Sequence, residues 1–103
     1  MYIFIREDLS KPQQIVQASH AALEAGFTFQ KPKTTTHIVL IGTKNQAELR
    51  ETAEYLERHG IEFEMFFEPD YDTGYTAIAT RPLFGKERRP LKRFQLLKEK
   101  DND

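Results

Sequence analysis

Residues 2–6, Tyr-Ile-Phe-Ile-Arg, are an apolar run of β-branched and aromatic residues too short for a helix, which predicts a buried first strand. Ser10 followed by Gln13 resembles a capping box and Pro12 suits a first helical turn, so a helix is expected over residues 11–26. At about 100° per residue, Ile15, Ala18, Ser19, Ala22, Leu23 and Gly26 share one arc, with Val16 and Phe27 at its margin. That arc is the expected core face, and its small residues imply close packing on a sheet. Residues 37–41 read as a central strand because they are almost uninterrupted apolar sequence. Thr43 with Gln46 repeats the capping signal, and a helix over residues 44–59 would turn Leu49, Ala53 and Leu56 inward, with Gly60 closing it as a left-handed cap. Residues 61–67 begin with alternation and end apolar, which suits a strand with one face partly wet, and Pro69 ends it. Residues 75–80 predict a further strand, broken by Pro82 and Gly85 before a last helix over residues 89–98 that carries Leu91, Phe94 and Leu97 at helical spacing.

The order is β-α-β-α-β-β-α. A strand joined to the next through a helix generally runs parallel to it, so the expected class is α/β: a three-layer α-β-α sandwich around a four-stranded, mixed, mainly parallel sheet. A chain of 103 residues suits one domain, expected over residues 1–98, with residues 99–103 as a frayed tail. No apolar run approaches the roughly 18 residues of a membrane span, and no secretory signal pattern is visible at the N-terminus. The absence of cysteine excludes disulfides, thiolate metal sites and cysteine nucleophiles, and with these points makes a cytoplasmic location the expectation. The net charge of -1 conceals two opposed patches. One is the acidic turn Glu68-Pro69-Asp70-Tyr71-Asp72. The other is the basic run Arg81, Lys86, Arg88, Arg89, Lys92, Arg93 and Lys98.

Three groups of residues could carry chemistry. Arg6 and Asp8 stand at the end of the first strand, and Gln17 and His20 lie along the flank of the helix that follows. At that border His20 is either a proton carrier in a shallow cleft or a helix histidine bonded to a neighbouring carbonyl. In the acidic turn, Asp70 and Asp72 with Thr73 and Thr76 close behind either orient water or a ribose hydroxyl, or form a solvated turn in which the aspartates bond their own backbone. The spacing fits no calcium loop, and neither a metal nor a cofactor is expected. The basic run would hold phosphates with Tyr71, Tyr75 or Phe84 stacking on an unpaired base, or else is an ordinary solvated face.

At Arg6-Glu7-Asp8-Leu9 and Gln17-Ala18-Ser19-His20-Ala21-Ala22 the chain resembles the peptidyl-tRNA hydrolases of the archaeal and eukaryotic type, and Asp72-Thr73-Gly74-Tyr75-Thr76 is similar to a second segment of that family. The resemblance implies a four-stranded mixed sheet flanked by helices, and hydrolysis of the ester joining a peptide to its tRNA. It further implies a catalytic site of Lys11, His20, Asp70 or Asp72, and Thr76, no cofactor, and substrate contacts from Arg6, Asp8, Gln17, Arg81, Arg88 and Arg89. Where the family has a Gly-Lys-Gly-Lys turn this chain has Ser10-Lys11-Pro12-Gln13-Gln14, so only Lys11 remains of its lysines. The expected partner is tRNA or peptidyl-tRNA, with no membrane. A non-catalytic module binding RNA, a nucleotide or a protein in the same cleft is the alternative, and a homodimer through the aromatic stretch Phe63 to Phe67 a third possibility.

Overall fold

The computed structural model describes residues 1–98; the tail expected to fray, residues 99–103, lies outside the described residues. Strand β1, Tyr2–Arg6, is buried at every position and occupies the middle of a four-stranded sheet. Helix α1, Lys11–Thr28, follows it, capped by the Ser10 hydroxyl, which accepts from the Gln13 amide at 3.3 Å. Strand β2, Val39–Thr43, then pairs in parallel with β1. Helix α2, Gln46–Arg58, is capped by Asn45, not by Thr43. The Thr43 hydroxyl is buried and donates to the Ile5 carbonyl at 3.1 Å, which keeps Thr43 in the strand. Gly60 ends the helix at φ 67°, as the sequence predicts. Strands β3, Phe63–Glu68, and β4, Gly74–Thr80, complete the sheet in the order β2-β1-β4-β3.

The sheet is mixed, but the expectation that it is mainly parallel fails. Only β1 and β2 pair in parallel; β1 with β4 and β4 with β3 are antiparallel. The link from β3 to β4 is a short turn, which can only fold a strand back against its predecessor, and β4 then inserts beside β1. The pleat divides the core into two. Tyr2, Phe4 and Ile78 pack with Leu49, Ala53 and Leu56 of α2, while Ile3, Ile5, Ala77 and Ala79 pack with Ala21 and Ala25 of α1. The helices therefore cover opposite faces.

Helix α1 meets the sheet through a different face from the one its hydrophobic arc predicts. Gln14, Gln17, Ala21 and Ala25 are buried, whereas Ile15, Val16, Leu23 and Phe27 are 68%, 49%, 51% and 76% exposed. The helix is turned by roughly one third of a revolution from expectation. Two interactions account for it: alanines permit close approach to the sheet, and the two inward glutamines are satisfied by specific partners. The Gln14 amide nitrogen donates to the Leu9 carbonyl at 2.8 Å.

The last helix expected over residues 89–98 is absent. A 3-10 segment, Gly85–Arg93, takes its place, with Pro90 inside it. Proline has no N–H and would strike the carbonyl four residues back in an α-helix, which disfavours α geometry through this stretch. Leu91 is buried, and Phe94 meets Phe4 edge-on at 5.1 Å between ring centres. The chain then extends along the free side of β2, where the Leu97 amide donates to the Leu40 carbonyl at 2.9 Å. Backbone groups at the margin of a sheet favour such pairing over helix continuation. No helix among the described residues is long and apolar enough to cross a membrane.

Candidate functional site

The end of β1 is organised by one guanidinium. Arg6 donates from Nε and Nη2 to the two carboxylate oxygens of Asp8 at 2.9 and 2.7 Å, and from Nη1 to the carbonyls of Thr73 and Tyr75 at 2.6 and 3.0 Å. The fork geometry of arginine is what lets one buried side chain do both. It ties β1 to the turn that joins β3 to β4. Asp8, hydrogen-bonded by and adjacent to this cation, is held below the usual carboxylate range.

That turn contains a short 3-10 stretch, Asp70–Asp72, and its backbone is unusual. Tyr71 and Asp72 have φ of 55° and 56°, in the left-handed region that side chains other than glycine rarely adopt. The conformation leaves the Tyr71 ring 98% exposed. Gly74, at φ 79°, has a second constraint: a Cβ there would overlap the Gln46 side chain, whose Oε1 accepts from the Tyr75 amide at 2.6 Å. Gly74→Ala is expected to lower stability by about 1–2 kcal/mol and to displace Gln46, measured by urea denaturation. An unchanged midpoint would show that the turn relaxes freely.

The register of β3 against β4 slips between Phe66 and Phe67, and Thr76 is the residue passed over. A bulge re-aims the side chain at its extra residue. The fully buried Thr76 hydroxyl donates to Gln17 Oε1 at 2.8 Å, which orients the amide so that Nε2 donates to Glu68 Oε2 at 3.1 Å. The other Glu68 oxygen accepts from the Asp70 amide at 3.0 Å. The Asp70 N–H and then the Gln17 amide hold the Glu68 carboxyl below its ordinary value, with a further contribution from the nearby His20. His20 lies flat on the Phe66 ring, 4.6 Å between centres. Leu9, Gln13, Gln17, Glu68, Asp70, Tyr71 and Thr73 line a small cleft of about 110 Å³ over this chain of hydrogen bonds. It is open, acidic and flanked by an exposed aromatic ring.

The structure brings together Gln17, Asp70 and Thr76, with Arg6 and Asp8 as the framework behind them. His20 stands beside them, stacked on Phe66 and near Glu68, and the structure places the remaining candidates elsewhere. Lys11 is exposed in the first turn of α1 and is not among the residues lining the cleft; nor is Asp72. Arg81 is paired with Glu87 at 3.0 Å, and Arg88 donates to the Tyr2 hydroxyl at 3.0 Å. Tyr2 is at the opposite end of β1 from Arg6, about 13 Å away along the strand, so these arginines lie toward the other end of the sheet from the cleft. Arg89 is exposed on the 3-10 segment. The basic run follows the α2 face, where Pro90 accepts from the Tyr55 hydroxyl and Arg93 lies over the Tyr55 ring, and this is why it does not reach the cleft on the α1 side. Glu68 is the site residue that sequence reading passed over as part of an acidic turn. Its place as the last residue of a strand, immediately before Pro69, is the signal available for it. Among the described residues no group of three His, Asp or Glu side chains is arranged to hold a metal ion. No protein-family model matches this chain, and no curated protein matches it.

Proposed function

We propose that the chain hydrolyses the ester between a peptide and the 3′ end of tRNA. The observation that carries this reading is the 2.8 Å hydrogen bond between Gln17 and Thr76 beside the Glu68 carboxylate. Each residue belongs to one of the two sequence segments similar to the peptidyl-tRNA hydrolases, and 59 positions separate them. On this reading Glu68, ionised at neutral pH, and Asp70 orient the attacking water, and Gln17 holds Glu68 in place. Tyr71 offers its exposed face to the terminal base, a contact that needs no sequence-specific bonds. Lys11 supplies positive charge toward the developing oxyanion from the first turn of α1. The test is single-turnover cleavage of peptidyl-tRNA by wild type beside Lys11→Ala. Cleavage that falls in the variant supports the reading, and a folded wild-type protein that leaves the ester intact refutes it.

Lys11 lies outside the cleft lining, and that observation favours a second reading: a module that binds RNA without cleaving it. Both readings assign the RNA backbone to the same cations. A 3-10 helix has three residues per turn and rises about 2 Å per residue, so Lys86, Arg89 and Lys92 stack on one exposed edge at intervals of about 6 Å. The other two edges carry Arg88 and Leu91, and Glu87 and Arg93, which have partners inside the molecule. Replacing Lys86, Arg89 and Lys92 together by Ala is expected to weaken tRNA binding. It should also reduce the slope of log affinity against log salt by about one per cation removed, read by fluorescence anisotropy across a salt series. An unaltered slope would place the RNA elsewhere.

A further inference from the structure

We infer that Gln46 of α2 is a positioning residue for the cleft on the far face of the sheet: with Arg6 it holds the Tyr75 backbone where the Thr76 hydroxyl meets Gln17. The effect on the reaction rests on the hydrolase reading; the geometry does not. The sequence pairs Gln46 with Thr43 as a helix cap, but that duty falls to other residues. Asn45 accepts from the Glu48 amide at 3.0 Å and the Glu48 carboxylate accepts from the Lys44 amide, which caps α2 without Gln46. The Gln46 side chain extends instead to β4, where its Oε1 accepts from the Tyr75 amide at 2.6 Å.

The Tyr75 backbone needs such a partner because the sheet opens there. β1 and β4 pair as Ile3 with Ala79, Phe4 with Ile78 and Ile5 with Ala77, and two more residues in this register would bring Glu7 to Tyr75. The pairing stops at Ile5. The Glu7 amide donates to the Thr43 carbonyl of β2 at 2.7 Å, so β1 stays with β2 and leaves β4. Two side chains take the place of the missing strand residue: Gln46 meets the Tyr75 N–H, and Arg6 Nη1 donates to the Tyr75 carbonyl at 3.0 Å. Gly74 leaves the room that Gln46 occupies.

The choice of acceptor at Thr76 depends on this clamp. Its hydroxyl is fully buried, has one proton to donate, and has two oxygens in reach: Gln17 Oε1 at 2.8 Å and the Phe66 carbonyl at 3.5 Å. Phe66 stands on the β3 side of the bulge that passes over Thr76, so a small shift of the preceding residue exchanges one acceptor for the other. Arg6 fixes the carbonyl end of Tyr75 and Gln46 the amide end. With both in place the hydroxyl takes Gln17, and Gln17 Nε2 is turned to Glu68. Without Gln46 the hydroxyl falls back on Phe66, and the Gln17 amide loses its fixed direction.

Gln46→Met keeps the length of the side chain and removes its acceptor, whereas Gln46→Glu keeps an acceptor in place. NMR of isotope-labelled protein follows the Gln17 side-chain NH2 through an acid titration, with circular dichroism to verify folding and single-turnover cleavage of peptidyl-tRNA measured alongside. In wild type these signals are expected to move with the ionisation of Glu68, whose carboxyl is held below its ordinary value by the Asp70 N–H and then by Gln17. In Gln46→Met the midpoint should rise toward the ordinary glutamate value of about 4.3, and the NH2 signals should move to those of a free amide. Cleavage should slow by about 10- to 100-fold, with its acid limb displaced upward in pH. Gln46→Glu should restore the NH2 signals and most of the rate. Gly74→Ala, which evicts the same side chain by another route, should reproduce the NH2 shift of Gln46→Met. Wild-type NH2 signals and midpoint in both Gln46→Met and Gly74→Ala overturn the inference, as does a Gln46→Glu protein that shifts as far as Gln46→Met. If the signals respond as expected while wild type leaves the ester intact, the positioning by Gln46 stands and the hydrolase reading alone falls.

Discussion

Replacing Arg6 with Met is expected to lower the unfolding free energy by about 2–4 kcal/mol and the melting temperature by on the order of 15 °C. The buried guanidinium makes four hydrogen bonds, two to Asp8 and two to the carbonyls of Thr73 and Tyr75. Methionine fills similar volume but leaves both carbonyls without their donor. Asp8 is 39% exposed at its side chain and regains water, which keeps the loss below that of a fully buried pair. Lysine would not rescue the position, since a single ammonium cannot span the carboxylate and two carbonyls. The acid limb of stability provides a separate reading. The Asp8 carboxyl is held below its ordinary value by the hydrogen bonds from Arg6, so its contribution is fully present above about pH 4 and is lost as pH falls through its folded-state value. In Arg6→Met that part of the slope should vanish. Equal stability of the two proteins across the acid range would mean that the clamp contributes nothing.

On the proposed hydrolase reading, Glu68→Gln is expected to slow ester cleavage by about 10²- to 10⁴-fold with little change in melting temperature. The replacement keeps the shape of the side chain and still offers Oε1 to the Asp70 amide, but its NH2 stands where an oxygen accepted from Gln17, so the Gln17 amide has to turn over, and the negative charge that the proposed reading assigns to orienting water is gone. Because the Asp70 N–H and Gln17 hold the wild-type carboxyl below its ordinary value, this group should leave the rate constant flat through neutral pH and reduce it only in acid below the usual glutamate range, about pH 4. Single-turnover rates from acid to neutral pH read both effects. A Glu68→Gln protein that cleaves at the wild-type rate would remove Glu68 from the mechanism. Melting curves of the same variant separate loss of chemistry from loss of the fold.

The legible parts of the fold are those in which a local signal has no competitor. β1 is continuous apolar sequence, Ser10 caps α1, and Gly60 closes α2, all as their residue types dictate. The orientation of α1 was not legible from periodicity, because hydrophobicity alone assigns Ile15, Val16, Leu23 and Phe27 to the core. The actual inward face depends on Gln14 and Gln17 finding partners from Leu9, Glu68 and Thr76, which is tertiary information. The last helix failed for a similar reason: Pro90 and the unpaired side of β2 act against the helical spacing of Leu91, Phe94 and Leu97. In the site, Gln17 and Thr76, one from each of the two sequence segments, meet, while the aspartate at the cleft is Asp70, outside the second segment, rather than Asp72 within it, and Arg81 and Arg88 are occupied at the far end of the sheet. Charge runs reveal composition; only the path of the backbone decides where they end up.

The position of β1 constrains how the protein is made. This strand precedes the other three along the chain, yet it lies between β2 and β4, and its bond from the Tyr2 amide to the Thr80 hydroxyl spans 78 positions. A nascent chain released from the ribosome tunnel as far as α2 therefore holds an apolar strand with one side unpaired and neither core complete. Most of the structure has to wait for residues 74–80, so folding is dominated by distant contacts and is correspondingly slow. Until that last strand arrives, residues 2–5 are the segment with most need of shelter from a chaperone or from neighbouring nascent chains.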